Sequence, residues 1–409
     1  MKKFLVALLS FAVLFSSADA KKKVKRRAHR APKKVVKVDK AARANESFIV
    51  VDCATGEILA QLKGDERCAP SSMTKLMTLY LLFEAIRDGR VRLSDEYLVS
   101  ELAQRQEGSR SFFKAGTSAV VEDLIRSIIV HSGNDASVIV AEGLCGDVSV
   151  FVDQMNKKAQ QFGLTNTHFV NPMGLPDADH YSTVSDLAKI ARRIILDFPQ
   201  FYHYFSEKVF TINGITQHNR NTMLGNSLRV DGLKTGHTSA GGYGIVVSAD
   251  QNGTRLIVVV NGYRDNAGRT QSANRLLATG FQEFNSIKVA DAGKAVTSAK
   301  VSCGDKDEVS LCTRQNVALL VNKKDNESLK VEAVIKEPIE APIAGGAKVG
   351  KLVCKYGNKQ FSYDLYACSP VARLGFFDLA VKRIRKLIFG DEQGRNVPLN
   401  VPLRKQTAR

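Results

Sequence analysis

The chain has 409 residues, of which 44% are hydrophobic and 24% are charged, and its formal net charge at pH 7 is +18. This composition excludes a chain that is disordered throughout and a disulfide-stapled miniprotein, and the length predicts two domains. No apolar run reaches the roughly 18 residues that a membrane-spanning helix requires.

The first twenty residues (1–20) predict a secretory signal peptide. Two lysines precede an apolar run from Phe4 to Phe15, and Ala18-Asp19-Ala20 has the small-x-small pattern of a cleavage site. We expect the mature chain to begin near Lys21.

A basic leader carries most of the positive charge. Residues 21–43 hold twelve Lys or Arg and one Asp, a net +11, so the rest of the chain is nearly neutral. We expect residues 21–44 to form a disordered, solvated tether; attraction to anionic lipid or wall polymer is the alternative. A basic chain suggests nucleic acid, but export argues against that partner.

The cysteine and histidine patterns give no metal or cofactor motif. Seven cysteines are spread along the chain and none forms a C-x-x-C, while the histidines have no metal-ligand spacing. An exported chain allows disulfides. Cys53 could pair with Cys68, and Cys303, Cys312, Cys354 and Cys368 could pair among themselves. The sequence leaves these pairings open.

Residues 45–286 predict a catalytic domain in which helices cover an antiparallel sheet, an α+β fold. A hairpin is expected at 47–52 and 58–62. The helix expected from Pro70 to about Asp88 is apolar on nearly all sides, which is typical of a helix inside a core. Further helices are expected at 121–131, 148–162, 184–196 and 268–284, and further strands at 233–237, 244–250 and 255–263.

The C-terminal part changes character. Residues 287–372 alternate short β-rich runs with turns, which predicts a small all-β domain. Residues 373–390 predict a basic amphipathic helix that lies on a membrane surface. Docking of that helix on its own β domain is the alternative. The tail, 391–409, is expected to be flexible.

Ser72 and Lys75 lie three residues apart at the start of the predicted core helix, so their side chains share one face. In a partly buried site such a lysine can lose its proton and act as general base for the serine hydroxyl. The helix N-terminus offers free backbone N–H groups to an oxyanion. Taken alone, an N-cap serine beside a surface lysine explains this pair better.

Two further motifs change that balance. Ser132-Gly133-Asn134 lies between two helical segments, and Lys234-Thr235-Gly236 is expected to open a strand. The order Ser-x-x-Lys, Ser-x-Asn, Lys-Thr-Gly is typical of penicillin-binding proteins and serine β-lactamases. Gly133 stands where that motif set has an aspartate.

On these residues the chain resembles the low-molecular-mass penicillin-binding proteins, the D-alanyl-D-alanine carboxypeptidase family. The segments that carry the resemblance are 70–78, 131–136, 219–221 and 230–238, supported by 163–169 and 268–269. The resemblance spans about residues 46–390. It implies a β-lactamase/transpeptidase-like domain (an antiparallel sheet flanked by helices, with a helical lobe), then a small all-β domain and the membrane-surface helix.

The resemblance also implies the catalytic roles. Ser72 attacks the carbonyl of the D-Ala–D-Ala bond and becomes the acyl ester, while Lys75 takes its proton. Ser132 relays a proton toward the leaving nitrogen. Asn134 orients the substrate and contacts Lys75. The backbone N–H groups of Ser72 and His237 form the oxyanion hole.

Substrate binding is implied for a second set of residues. Lys234 keeps Lys75 neutral and attracts the terminal carboxylate, which Thr235 binds together with Arg220. The residues expected to bind substrate are Lys234, Thr235, Gly236, His237, Thr238, Arg220 and Arg269.

The absence of one glutamate argues against a class A β-lactamase activity. Class A β-lactamases use a glutamate to activate the deacylating water, and no glutamate lies between Glu142 and Glu207, where the loop that carries it would be. Penicillin is therefore expected to trap Ser72 as a slow ester.

The sequence thus predicts a serine-type carboxypeptidase that removes the terminal D-alanine from peptidoglycan stem pentapeptides and is inhibited by penicillin. We expect it to be exported and peripheral, on the periplasmic face of the cytoplasmic membrane through residues 375–389. The expected partners are stem peptides, β-lactams and that membrane, with no nucleic acid, metal or cofactor. The alternatives are a D,D-endopeptidase on cross-links, a serine β-lactamase and an inactive cationic scaffold.

Overall fold

The computed structural model describes residues 45–323, 329–357 and 359–389. The predicted signal peptide, basic linker and C-terminal tail lie outside the described residues. The elements up to residue 283 are β1 (Ser47–Asp52), β2 (Ile58–Leu62), α1 (Lys75–Arg87), β3 (Glu96–Leu98), α2 (Glu101–Gln104), β4 (Ser118–Val120), α3 (Val121–Arg126), α4 (Asn134–Cys145), α5 (Val148–Gln161), α6 (Val184–Asp197), β5 (Val209–Ile212), β6 (Ile215–His218), β7 (Val230–Thr238), β8 (Gly242–Gln251), β9 (Thr254–Tyr263) and α7 (Asn266–Glu283).

A five-stranded antiparallel sheet forms the centre of this part, in the order β2-β1-β9-β8-β7. Strand β9 is apolar on both faces. Ile257 and Val259 join a core cluster with α1 and α6, whereas Leu256, Val258 and Val260 join a second cluster with α7. Successive strand residues point to opposite faces, so one sheet supports helices on both sides. The predicted α+β fold is confirmed.

Helix α1 is buried on every side, as its sequence predicts. Its apolar residues from Leu76 to Phe83 are at most 8% exposed. The α-helix does not start at Pro70, because a single 3-10 turn, Ser71–Thr74, precedes it. Ser71 has a φ of 48°, a left-handed conformation that an α-helix cannot continue through.

Two other predicted elements differ in their bounds, and both differences concern the site. The helix expected at 121–131 becomes a π-helical turn at Ser127–His131, after which Ser132 is left-handed with a φ of 60°. Strand β7 begins four residues before Lys234, so the Lys-Thr-Gly motif lies within the strand and not at its start. π-turns often occur at functional sites because they redirect the chain.

The C-terminal part contains two further sheets. Its elements are β10 (Phe284–Ala290), β11 (Ala295–Ser302), β12 (Glu308–Cys312), β13 (Val317–Asn322), β14 (Lys330–Ile335), β15 (Ile339–Glu340), β16 (Lys348–Tyr356), β17 (Lys359–Ala367) and α8 (Phe376–Phe389). Strands β10 and β13 pair, and the other six strands build a second sheet in the order β14-β16-β17-β12-β11-β15. A separate apolar core fills this part.

Helix α8 leaves its described apolar side chains in solvent. Phe376, Phe377, Val381 and Ile384 are 83%, 84%, 61% and 56% exposed. Their exposure means that these side chains do not dock on the β-rich part, which was the alternative for this helix. Among the described residues, no helix is both long enough and apolar enough to cross a bilayer.

All seven cysteines lie in the described part of the chain, and each has a free thiol. Cys312 and Cys368, one of the pairings that the sequence leaves open, are neighbours, because the Cys368 backbone N–H donates to the Ser310 carbonyl oxygen at 2.8 Å.

Candidate active site

The nucleophile turn is packed tightly against the edge strand of the main sheet. A Cβ at Gly236 would lie 3.0 Å from the Pro70 carbonyl oxygen and 3.2 Å from Ser71 Cβ, so only glycine allows β7 to come this close. The hydroxyls of Ser71 and Thr238 form a hydrogen bond of 2.9 Å across the same contact. The strand and the turn are thereby held side by side.

Lys75 is fully buried and its Nζ has three acceptors within reach. The distances are 2.9 Å to Ser72 Oγ, 2.8 Å to Asn134 Oδ1 and 2.7 Å to the Met173 carbonyl oxygen. The orientation of the Asn134 amide is fixed, because its Nδ2 donates to the Glu107 carbonyl oxygen at 2.6 Å. The expected contacts of Lys75 with Ser72 and Asn134 are therefore present in the structure.

These contacts leave one arrangement for a neutral lysine. Carbonyl oxygens accept hydrogen bonds and cannot donate them, so Asn134 Oδ1 and the Met173 oxygen take both N–H groups of a neutral amine. The nitrogen lone pair is then directed at Ser72 Oγ. A general base for the hydroxyl needs this geometry.

The electrostatics favour the neutral form. Burial is the largest cause that holds the pKa of Lys75 well below its usual range, and the charges of Lys234 and Arg220 lower that pKa further. The Asp135 carboxylate acts in the opposite direction, with a smaller effect. Lys75 can therefore act as a base near neutral pH.

Ser132 is placed beside Lys234 by its turn. The left-handed Ser132 ends the π-turn, and its hydroxyl accepts a hydrogen bond from Lys234 Nζ at 2.9 Å. A Cβ at position 133 would lie 2.9 Å from Asp135 Oδ1, and that carboxylate is fixed by the backbone N–H of Ser111. The crowding explains why glycine occupies the middle position of this motif.

Lys234 is the second buried cation of the cleft. Burial, followed by the charges of Arg220 and Arg269, lowers its pKa to about 7. Besides Ser132, its Nζ donates to the Thr235 carbonyl oxygen at 3.2 Å. The acceptors that surround Nζ of Lys75 and Lys234 are hydroxyl, amide and carbonyl oxygens, so an anionic substrate would supply a counter-charge.

The remaining predicted residues lie at different distances from this centre. Arg220 donates to Ser109 Oγ at 2.5 Å, beside the cleft, and Thr235 is buried on β7. His237 is exposed, with its ring centroid 3.9 Å from that of Tyr243. Arg269 is only 4% exposed and bonds Asn266 and the Gly244 carbonyl oxygen. Arg269 thus lies behind the cleft and acts on Lys234 through its charge.

Sequence reasoning missed two sets of groups. The Met173 carbonyl is a main-chain acceptor, which no residue-type motif can reveal. The second set lies behind Ser132, where His131 Nδ1 contacts Ser111 Oγ at 2.9 Å and His131 Nε2 donates to the Phe210 carbonyl oxygen at 3.0 Å. His131 adjoins the Ser-x-Asn motif, but its partners are distant in sequence.

The segment that faces Lys75 contains no glutamate. It runs from Asn171 to Leu175, and the glutamates that bound the interval are engaged elsewhere: Glu142 accepts from Ser100 and Glu207 from Arg126. No cluster of His, Cys, Asp or Glu with metal-binding potential occurs among the residues that the structure describes.

Comparison with known families agrees with this geometry. A family model described as D-alanyl-D-alanine carboxypeptidase matches residues 34–264. The chain belongs to this family of serine peptidases. A second model, described as the C-terminal domain of penicillin-binding protein 5, matches residues 284–374 of the carboxypeptidase.

Individual relatives cover nearly the whole molecule. The carboxypeptidase is 38% identical to D-alanyl-D-alanine carboxypeptidase DacA of Haemophilus influenzae over 339 residues, which are 81% of this chain and 86% of the relative. It is 37% identical to DacA of Escherichia coli over 84% of this chain and 87% of that one. Penicillin-binding protein 5 of Haemophilus influenzae has a similar structure, with a TM-score of 0.71, 37% identity, and coverage of 82% and 100%.

These findings confirm the predicted fold class and the predicted activity. The protein is a serine-type D-Ala-D-Ala carboxypeptidase of the penicillin-binding class, so peptidoglycan peptides are its substrates and β-lactams its ligands.

Proposed function

We propose that Ser72 is the nucleophile of this carboxypeptidase and Lys75 its general base. The observation that carries the proposal is the set of three contacts at Lys75 Nζ, which directs the lone pair of a neutral amine at the Ser72 hydroxyl. Attack on the penultimate D-alanine carbonyl forms an ester on Ser72 and passes the hydroxyl proton to Lys75.

Ser132 and Lys234 return a proton to the leaving group. The amine nitrogen of the departing D-alanine needs a proton as the bond breaks, and Ser132 Oγ is the hydroxyl that Lys234 Nζ contacts at 2.9 Å. A protonated Lys234 orients the Ser132 oxygen and stabilises negative charge on it. Burial lowers the pKa of Lys234 to about 7, so both its charged and its neutral form are accessible near neutral pH.

The substrate carboxylate is bound at the positive end of the cleft. Arg220 and Lys234 are the cations there, and Thr235 adds a hydroxyl from β7, the edge strand of the sheet. The oxyanion of the tetrahedral intermediate is assigned to the backbone N–H groups of Ser72 and His237. Gly236 and Thr238 hold the strand against the nucleophile turn, and Arg269 acts on Lys234 through its charge.

Penicillin occupies the same site and leaves it slowly. The strained lactam resembles the D-Ala–D-Ala amide, so it acylates Ser72 by the same steps. The segment Asn171–Leu175 offers no carboxylate to activate a hydrolytic water. Slow deacylation follows, which disfavours the β-lactamase alternative.

The carboxypeptidase is exported and attaches to the outer surface of the cytoplasmic membrane through α8. The apolar side chains of α8 that the structure describes point into solvent, and the sequence alternates them with Lys and Arg. Such a helix inserts its apolar face among acyl chains while its cations contact anionic headgroups. Vesicle co-sedimentation of residues 21–409, compared with a form that ends at residue 372, tests this attachment.

The central experiment uses residues 21–409 beside Ser72→Ala. Fluorescent penicillin should label the wild type, mass spectrometry should find the adduct on Ser72, and D-alanine should be released from a stem pentapeptide. The variant should lose rate by a factor on the order of 10⁶. Labelling of folded Ser72→Ala at the wild-type rate would overturn the assignment.

A further inference from the structure

A short segment that follows α5 is docked on the nucleophile helix. Besides the Met173 carbonyl on Lys75, the Pro172 carbonyl oxygen accepts from Thr78 Oγ1 at 2.6 Å. Gly174 lies so close that a Cβ there would be 1.8 Å from the Ser71 carbonyl oxygen. The segment thus meets α1 and its preceding turn at three points, one of which is the catalytic amine.

His180 connects this segment to the nucleophile turn. It is 4% exposed, and both of its ring nitrogens have partners: Nδ1 lies 3.1 Å from the Val170 backbone nitrogen and Nε2 lies 2.8 Å from Thr74 Oγ1. The edge of its ring meets Phe169, with centroids 5.8 Å apart. The imidazole therefore bridges the start of the segment and the residue that precedes Lys75.

The hydrogen-bond partners of His180 determine the tautomer of its imidazole ring. A backbone N–H can only donate, so Nδ1 is an acceptor and the single ring proton is on Nε2, which donates to Thr74. Burial, the largest cause, lowers the pKa of His180 to about 4. The facing charged groups are Asp177, which raises this pKa, and His168 and Lys75, which lower it. The ring is neutral throughout the range in which Lys75 acts as a base.

We propose that His180 is a positioning residue for Ser72 acylation: its neutral Nε2–H form holds the 170–174 segment so that the Met173 carbonyl takes one N–H of Lys75. Without that acceptor the amine can rotate and direct an N–H, in place of its lone pair, toward Ser72. The inference rests on the proposed roles of Ser72 and Lys75. His180 touches neither substrate nor nucleophile.

The test compares His180→Ala with His180→Gln in the full mature chain. Rapid mixing with fluorescent penicillin separates the acylation rate constant from the dissociation constant of the noncovalent complex. We expect the alanine variant to lose about 10- to 100-fold in the acylation rate constant, with noncovalent binding changed less than about twofold. Glutamine offers one acceptor and one donor, so it should restore most of the rate.

His168→Ala is the matched control. His168 lies two residues before the 170–174 segment, and its exposed imidazole contacts the Asp179 carbonyl oxygen and the Tyr181 ring. Penicillin should acylate the His168→Ala variant at the wild-type rate within about twofold.

The outcomes separate the inference from the proposed function. If the wild type forms no adduct on Ser72, the proposed function fails. If it does, and a folded His180→Ala matches it in rate, only the positioning role fails. A purely structural role would lower the melting temperature and the rate of both variants together, with no rescue by glutamine, and that result would also overturn the proposal. Should the alanine variant not fold, Thr74→Val removes the acceptor of Nε2–H and must show the same loss.

Discussion

The interior of residues 45–283 contains many polar side chains, whereas the interior of the described residues from 284 onward is almost entirely apolar. Residues 45–283 bury lysines, an arginine, histidines, aspartates and asparagines among apolar side chains, whereas Thr313 is the one buried polar residue among the described residues from 284 onward. Buried polar groups cost free energy unless they are paired, and buried cations cost most. The difference indicates that the first part gives up stability to hold reactive groups, while the interior of the second part serves packing.

Replacement of Lys75 is the strongest test of this comparison. Lys75→Met keeps the volume and removes the base, so acylation of Ser72 should fall by about 10⁴-fold or more. The melting temperature should hold or rise, because a buried amine is replaced by an apolar side chain. Stopped-flow acylation and thermal unfolding measure the two effects.

Lys355→Met is the control in the second part. Lys355 is exposed and paired with Glu332 at 2.8 Å, so its loss should change neither acylation nor stability by a measurable amount. A comparable loss of acylation in this variant would contradict the division of roles between the two parts.

The charge on Lys234 gives the next largest effect. Because this cation lowers the pKa of Lys75, Lys234→Met should raise that pKa and move the acid limb of the acylation profile to higher pH. The maximal rate should fall by about 10²-fold, since the Ser132 hydroxyl loses its donor. Acylation rates between pH 5 and 9 provide the measurement. An unshifted acid limb would show that Lys234 does not control Lys75.

The buried histidines make stability depend on pH. His180 has a pKa of about 4 when folded and 6.5 as its ordinary value, so the unfolded chain binds a proton that the folded chain excludes. Stability should therefore fall as the pH decreases from 6.5 toward 4, by up to about 3 kcal/mol from this residue. Urea unfolding of wild type and His180→Gln should give a smaller decline for the variant. The exposed His168→Gln should decline as the wild type does.

The sequence was informative where residue type carries the signal. Three motifs located Ser72, Lys75, Ser132 and Lys234 because their chemistry depends on particular side chains, and the apolar surface of α1 predicted its central position. The sequence could not predict contacts made by the main chain or by residues distant along the chain. The Met173 carbonyl and the His180 bridge depend on how a loop folds back onto α1.

Two predicted helix boundaries were wrong for a related reason. The left-handed Ser71 and Ser132 break helices that their local periodicity would continue, and tertiary packing of the cleft selects those conformations. Propensity cannot report a conformation that the surrounding structure imposes. The departures from the predicted pattern thus fall at Ser132 and next to Ser72, whose hydroxyls we propose to be catalytic.

The cysteines give the prediction with the smallest effect on catalysis. Cys312 on β12 and Cys368 after β17 lie on paired strands: Leu311 is opposite Ala367, and the Cys368 N–H donates to the Ser310 carbonyl oxygen at 2.8 Å. Burial, followed by the neighbouring Cys312 thiol, raises the pKa of Cys368 to about 12. Thiol–disulfide exchange with oxidised glutathione should join the two sulfurs and release two glutathione thiols, so the protein loses two hydrogens.

This bond would stabilise the second part and leave the first unaffected. It closes a loop of about 57 residues, for which chain entropy gives an upper estimate of about 4 kcal/mol. Mass spectrometry of peptides without reduction should find the cross-link in the wild type and not in Cys368→Ser. Acylation of Ser72 should be equal in the oxidised and reduced forms, because no catalytic contact passes through β12 or β17. A change in acylation upon oxidation would mean that the β-rich part influences the cleft, and the two parts would then have to be treated as one functional unit.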